Sequence, residues 1–179
     1  AQYTHQKFDI TIGNFYDQFG SGMLLRTYEE RNLGIDNALD GFRVKFTPID
    51  GVAIKGIYGK QRLDFQDGLI NGPGIIRAVD GEFFVNDIFK SLNDKPLKVT
   101  IGTSFVSRFQ SGSTIEKDTL VLELPQNVGA YGGRINLLYK GWNFMGEYVE
   151  KINDPNADNG FIYRDGQGLL MNLSYSKPG

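Results

Sequence analysis

The chain has no cysteine and a single histidine, His5. Without cysteine there is no disulfide scaffold, no thiolate zinc site and no thiol nucleophile. One histidine leaves nothing for a histidine-rich metal cluster and makes a Ser-His-Asp triad nearly untenable. So close to the start of the chain, its ordinary reading is a solvated polar residue. No stretch approaches the ~18 apolar residues of a membrane-crossing helix. Charge of one sign is lacking too: 19 Lys and Arg against 21 Asp and Glu leave a formal net charge of -2. A nucleic-acid partner, which calls for a basic face, is therefore not expected.

What is present is glycine, at 23 residues, and aromatics, at 13% of the chain, mostly Phe and Tyr. That composition suits strands and turns. The dominant pattern has a period of two. Over 97–109, Leu97, Val99, Ile101, Thr103, Phe105 and Phe109 share one face, opposite Lys98, Thr100, Gly102, Ser104 and Arg108. Residues 8–13, 42–47, 129–140, 142–151 and 167–175 alternate in the same way, and 51–60 and 74–85 do so less sharply. About eight strands result, several reaching the roughly 9–11 residues that a tilted membrane strand needs.

The links alternate in length. Short ones are Thr47-Pro48-Ile49-Asp50-Gly51, Lys140-Gly141 and the terminal Ser176-Lys177-Pro178-Gly179. Longer polar ones span 15–40, 61–73, 110–127 and 152–166; the link 86–96 is long for its class and has room for a helical turn. Tight turns at one end and long loops at the other are the signature of an outer-membrane barrel. A soluble sandwich with Greek-key crossovers has no reason for such parity. The expected fold is an all-β, antiparallel, up-and-down transmembrane β-barrel. It forms one region over 1–179, with about eight strands present as part of a larger barrel.

On this reading Leu137, Tyr139, Trp142, Phe144, Leu173 and Tyr175 face lipid or form an aromatic girdle at the short-turn end. The opposite faces carry Arg43, Lys45, Lys55, Arg77, Lys98, Arg108, Arg134 and Lys140 with Asp80, Glu82 and Glu147. Mixed charge of this kind cannot pack as a dry core. Arg43, Lys45, Arg77, Lys98, Arg108, Arg134 and Glu147 are accordingly expected to face a lumen. Ion pairing across neighbouring strands is preferred there over a cation-lined solute path.

Three segments carry residue types that chemistry could use. Glu29 and Glu30 are adjacent, so they do not face one another, and Arg26 and Arg31 flank them; ion-paired loop carboxylates are expected. The long loop 15–40, and within it residues 26–40, is expected to fold inward and partly plug the lumen. Asp154, Asn156 and Asp158 space oxygen ligands like a calcium loop, but Gly160 comes one place late and no glutamate closes the loop, so a solvated turn is favoured. Gly20-Ser21-Gly22 has no lysine after it and does not make a phosphate loop.

The run Gly13-Asn14-Phe15-Tyr16-Asp17-Gln18-Phe19-Gly20-Ser21-Gly22, with Arg26-Thr27-Tyr28-Glu29 and Gly34-Ile35-Asp36-Asn37, resembles an uncharacterised Bacteroidota family of large outer-membrane β-barrel proteins. The resemblance continues through Gly41-Phe42-Arg43-Val44-Lys45 and Arg77-Ala78-Val79-Asp80-Gly81-Glu82 and covers the first half of the chain better than the second. It implies location in the bacterial outer membrane and a chain that is part of a longer protein. It implies no activity.

The expected function is a channel-like barrel, or an accessory component of an outer-membrane complex, without enzymatic activity. Outer-membrane lipid is the expected partner, other outer-membrane proteins are candidate partners, and no cofactor is expected. Two alternatives remain: a soluble β-sandwich that binds glycans through Tyr16, Phe161 and Tyr163, and an outer-membrane hydrolase limited to carboxylate chemistry.

Overall fold

A computed structural model describes residues 1–63, 70–112, 114–117, 120–155 and 159–177. The strands, in chain order, are β1 (Gln2–His5), β2 (Phe8–Phe15), β3 (Glu29–Glu30), β4 (Ile35–Asp36), β5 (Leu39–Phe46), β6 (Val52–Arg62) and β7 (Asn71–Phe84). A helical turn α1 (Val85–Ile88) precedes β8 (Leu97–Phe109), and β9 (Thr114–Lys117), β10 (Leu120–Glu123), β11 (Asn127–Tyr139), β12 (Trp142–Lys151) and β13 (Gly166–Tyr175) follow. Among the described residues nine strands form one sheet, in the order β1-β2-β5-β6-β7-β8-β11-β12-β13. Every pairing in it is antiparallel. The small pairs β3–β4 and β9–β10 sit within loops.

The fold is thus an all-β antiparallel meander. The sheet is open: β1 and β13 are each paired on one side only. All eight strands expected from alternation are in it. The ninth, β1, was not expected; it is short, and all its residues are exposed. The links 47–51, 85–96 and 140–141 fall at one end, and 16–38, 63–70, 110–126 and 152–165 at the other; 85–96 is longer than 63–70, so the expected alternation of length is not strict. At 85–96 the Asn86 side chain donates to the carbonyls of Leu92 and Leu97 and accepts from the Val99 N–H, tying the helical turn to the next strand.

Register places one class of residue on each face. Phe8, Phe46 and Ile54 are successive partners, as are Ile10, Val44, Gly56, Val79, Phe105 and Tyr131. Lower down run Leu137, Phe144 and Leu173, then Tyr139, Trp142 and Tyr175. Many of these side chains are open to the surroundings: Leu173 is 64% exposed and Phe105 47%. On the reverse face one row reads Thr4, Asp9, Lys45, Lys55, Asp80, Ser104 and Gly132. The buried apolar cluster is on this reverse side, where Phe15, Phe19, Leu25 and Leu39 meet Ile57, Ile76 and Ala78. Beside that cluster this face covers Asp80, Ser104 and Glu147, while large side chains of the apolar face are open.

Candidate functional site: a loop folded onto the charged face

Residues 16–38 leave β2 and turn back over the polar face. Gly20 and Gly22 have positive φ, +51° and +95°, which glycine adopts without penalty. The Phe19 N–H bonds the Leu25 carbonyl at 3.0 Å and the Thr27 N–H bonds that of Asp17 at 2.9 Å, closing a turn around Phe19. Phe19 is 1% exposed.

Ionic contacts fix this turn to strands far apart in the sheet. Asp17 accepts from Arg43 at 2.9 Å and from Lys55 at 2.6 Å. Lys55 also lies over the Phe19 ring, 5.2 Å from its centroid. On the other side the Ser21 N–H donates to Glu147 at 2.8 Å. Arg43 and Glu147 are on β5 and β12, five places apart in the sheet order. That separation is about 24 Å in a flat sheet, whereas residues 17–21 reach roughly 14 Å at full extension. The Arg43, Asp17 and Glu147 side chains make up the rest of the span.

A second network joins β7 to β11. Arg134 on β11 binds both carboxylate oxygens of Asp80, at 2.8 and 3.1 Å, and also Glu82 and Ser104 at 2.8 Å. Asp80 and Glu82 are on β7, so the guanidinium crosses β8 to reach them. Gly102 makes the crossing possible: it is Arg134's register partner, and a Cβ there would lie 2.4 Å from Nε. Gly20 of the loop rests on the same group, with a Cβ position 2.8 Å from Arg134 Cδ and 2.7 Å from a Glu147 carboxylate oxygen. Loop, Glu147 and Arg134 form one packed unit.

At the base of the loop Asp36 receives Arg62 and, at 2.9 Å, the Tyr16 hydroxyl. Burial, and then the bond to Asp36, push the Tyr16 phenol up to about 12, so it remains a donor. Burial works to raise Asp36, but the Ala38 N–H, Tyr16 and Arg62 together hold it below the usual carboxylate range. Asp17 follows the same logic: burial raises it, and Lys55 and Arg43 outweigh burial. Beside the loop tip a cavity of about 460 Å³ lies between Met23 and Leu24 and strands β8, β11, β12 and β13, with Arg108, Lys151 and Asp154 on its wall.

The residues singled out from sequence distribute as follows. Arg43, Lys45, Lys98, Arg108, Arg134 and Glu147 share the polar face, and Lys140 is in the 140–141 turn. Arg77 does not join them. It is in register with Tyr58 and Ser107 on the apolar face, with its guanidinium 5.3 Å from the Phe109 ring centroid. Leu137, Tyr139, Trp142, Phe144, Leu173 and Tyr175 occupy two adjacent rows of the apolar face, and the Trp142 and Tyr175 rings are 4.8 Å apart.

The segment lying across the polar face is 17–25, upstream of the expected 26–40; residues 31–34, at the far tip, are exposed. Glu29 pairs with Arg31 and Glu30 caps the Asn32 N–H. Asp154 is engaged by Arg108 and Lys151, while Asn156 and Asp158 lie outside the described residues. Among the described residues no cluster of His, Asp and Glu is suited to a metal. Tyr16 and Tyr163 are tied to different partners, Asp36 and the Glu123 carbonyl. Asp17, Phe19 and Ser21 were not anticipated as site residues. The signal was an apolar Phe19 between an acid and a Gly-Ser-Gly turn, where a solvated loop has no use for one.

Comparison with curated proteins and with solved structures finds no match. At the level of families one match covers the whole chain, residues 1–179: this protein belongs to a family of unknown function, DUF6029.

Proposed function

We propose that this chain forms the wall of an outer-membrane β-barrel, a channel-like protein or an accessory component of an outer-membrane complex. Its bore is narrowed by the loop 16–38, and it has no catalytic role. The observation that carries this reading is the distribution of polarity: covered, ion-paired charge on one face and open aromatic and aliphatic side chains on the other. Ordinary soluble proteins seldom expose apolar patches beyond about 300–600 Å².

The dimensions support it. From Leu97 to Phe105 the apolar face of β8 is unbroken except for Thr103. That is about 27 Å along the strand, or roughly 20 Å along the membrane normal at a tilt of about 40°, close to the ~25 Å apolar band of outer-membrane barrels. Tyr139, Trp142 and Tyr175 border it at the short-turn end, where amphipathic rings belong. In lipid the free sides of β1 and β13 require pairing partners, so the reading calls for closure of the sheet. The buried carboxylates Asp17, Asp36 and Asp80 are each held by a cation, which suits a structural role better than proton transfer.

Leu173→Arg and Leu137→Arg test the proposal, because a lipid-facing Arg costs about 2–4 kcal/mol near the midplane. The native protein should enter lipid vesicles and change its gel mobility on heating, and both variants should be impaired in insertion. Normal insertion of both, or a native protein that remains in solution without detergent, would refute the assignment.

A further inference from the structure

The apolar face has a hollow of about 320 Å³, walled by Phe42, Val44, Tyr58, Val79 and Phe105. Its floor is Gly56, in register with Val44 and Val79. Nothing in the backbone calls for glycine there: its φ is not positive, and a Cβ would meet no atom within 4 Å. Gly41 is different, because a Cβ on it would lie 2.1 Å from the Tyr58 carbonyl oxygen. Glycine inside a strand weakens it, and it often marks a place where another molecule comes close. At Gly56 the missing side chain leaves the hollow itself.

Arg77 lines the same hollow at its loop-side rim, one row beyond Val79 and Phe105. It is exposed, and its register partners are Tyr58 and Ser107. Its neighbours along β7 on this face are Ile75 and Val79. None of these is acidic. In the next row Lys60 and Asp40 are register partners and balance one another. Among the described residues the Arg77 charge meets no carboxylate, and its guanidinium lies against the Phe109 ring.

A planar guanidinium in this position is suited to a phosphate, which it can hold by two parallel hydrogen bonds. Free phosphate would leave the hollow empty, and a neutral lipid would leave Arg77 without a counter-charge. An acylated phosphate satisfies both. On the membrane reading the loop end is external, and the lipid of that leaflet in an outer membrane is a phosphorylated glycolipid with several acyl chains. A second hollow, of about 660 Å³, adjoins the first across Phe42 and Tyr58, whose rings stack at 5.5 Å, and has room for a further chain.

We propose that Arg77 holds the phosphate of an outer-leaflet glycolipid, with one acyl chain lying over Gly56. The inference rests on the membrane reading above. It adds one place on the wall at which that lipid is held.

The protein in detergent micelles is titrated with monophosphorylated lipid A and with the same glycolipid stripped of its phosphate, and bound lipid is counted by native mass spectrometry. The phosphorylated form should bind about tenfold more tightly, as one charge-assisted contact implies. Arg77→Gln should abolish that difference. Gly56→Leu, which puts a side chain into the open space, should weaken binding of both forms. Lys60→Met should leave the difference in place. Each variant is first matched to the native protein for entry into lipid vesicles. Equal binding of the two forms, a preference that survives Arg77→Gln, a preference lost equally in Lys60→Met, or unchanged binding in Gly56→Leu overturns the inference and leaves the membrane reading standing. A native protein that does not enter vesicles overturns both.

Discussion

Replacing Arg134 with methionine removes the cation that bridges β7 and β11. Its guanidinium side chain is 11% exposed and that of Asp80 7%, so the loss leaves a buried carboxylate whose remaining hydrogen bond, among the described residues, is from the Ser104 hydroxyl at 2.6 Å. Glu82, at 39% exposure, can turn to water and adds little. Removing one member of a buried pair costs about 3–5 kcal/mol, which lowers the folded-to-unfolded ratio by roughly two to four orders of magnitude. Replacing both members, Arg134→Met with Asp80→Leu, removes the stranded charge and should restore most of that loss, because well-packed apolar substitutes for buried ion pairs are often neutral or better. Urea unfolding in lipid vesicles, followed through Trp142 fluorescence, gives the comparison. A single variant within about 1 kcal/mol of the native protein, or a double variant less stable than the single one, would refute the reasoning.

Gly102→Ala should weaken the same bridge without touching a charge, since its Cβ would collide with the Arg134 guanidinium; urea unfolding that matches the native protein would count against the crossing. Asp17 has a lowered pKa when folded, so its contribution is complete above the unfolded value of about 3.9 and fades as pH falls through the folded one. Protection against hydrogen exchange at residues 18–26, taken relative to the intrinsic amide rate at each pH, should therefore be high between about pH 5 and 8 and fall in stronger acid, with Asp17→Asn lowering it already at neutral pH; unchanged protection in that variant would show that the pair does not hold the loop. Asn86→Ala leaves the Val99 N–H unpaired and removes two donated bonds, and a loss of about 2–3 kcal/mol in urea unfolding is expected.

Period-two alternation made eight strands legible because one face of each is consistently apolar. It does not distinguish the faces' surroundings by itself. Strand β1 escaped because Gln2–His5 is exposed on both sides, leaving no contrast to read. Arg77 was misplaced for a different reason. Its parity with Ile75 and Val79 already assigns it to the apolar face, but it was grouped with the other cations by charge. It can be there because it is exposed, its guanidinium lies against the Phe109 ring, and the next row, towards the loops, already carries Lys60 and Asp40. The loop was expected to fold inward, but which part does so depends on contacts such as Ser21 with Glu147, separated by 126 residues, which no local pattern encodes.

That separation also orders the events of folding. Every neighbouring pair in the main sheet is consecutive along the chain apart from loop insertions, so hairpins can be added one after another at little entropic cost. Asp17 can meet Arg43 and Lys55 as soon as β6 exists, but Ser21 has no Glu147 to bind until β12 is in place. The loop's first anchor is therefore early and its second late. Protection of the Ser21 amide marks the point at which the chain has assembled through β12, and a probe at that position times the arrival of that strand.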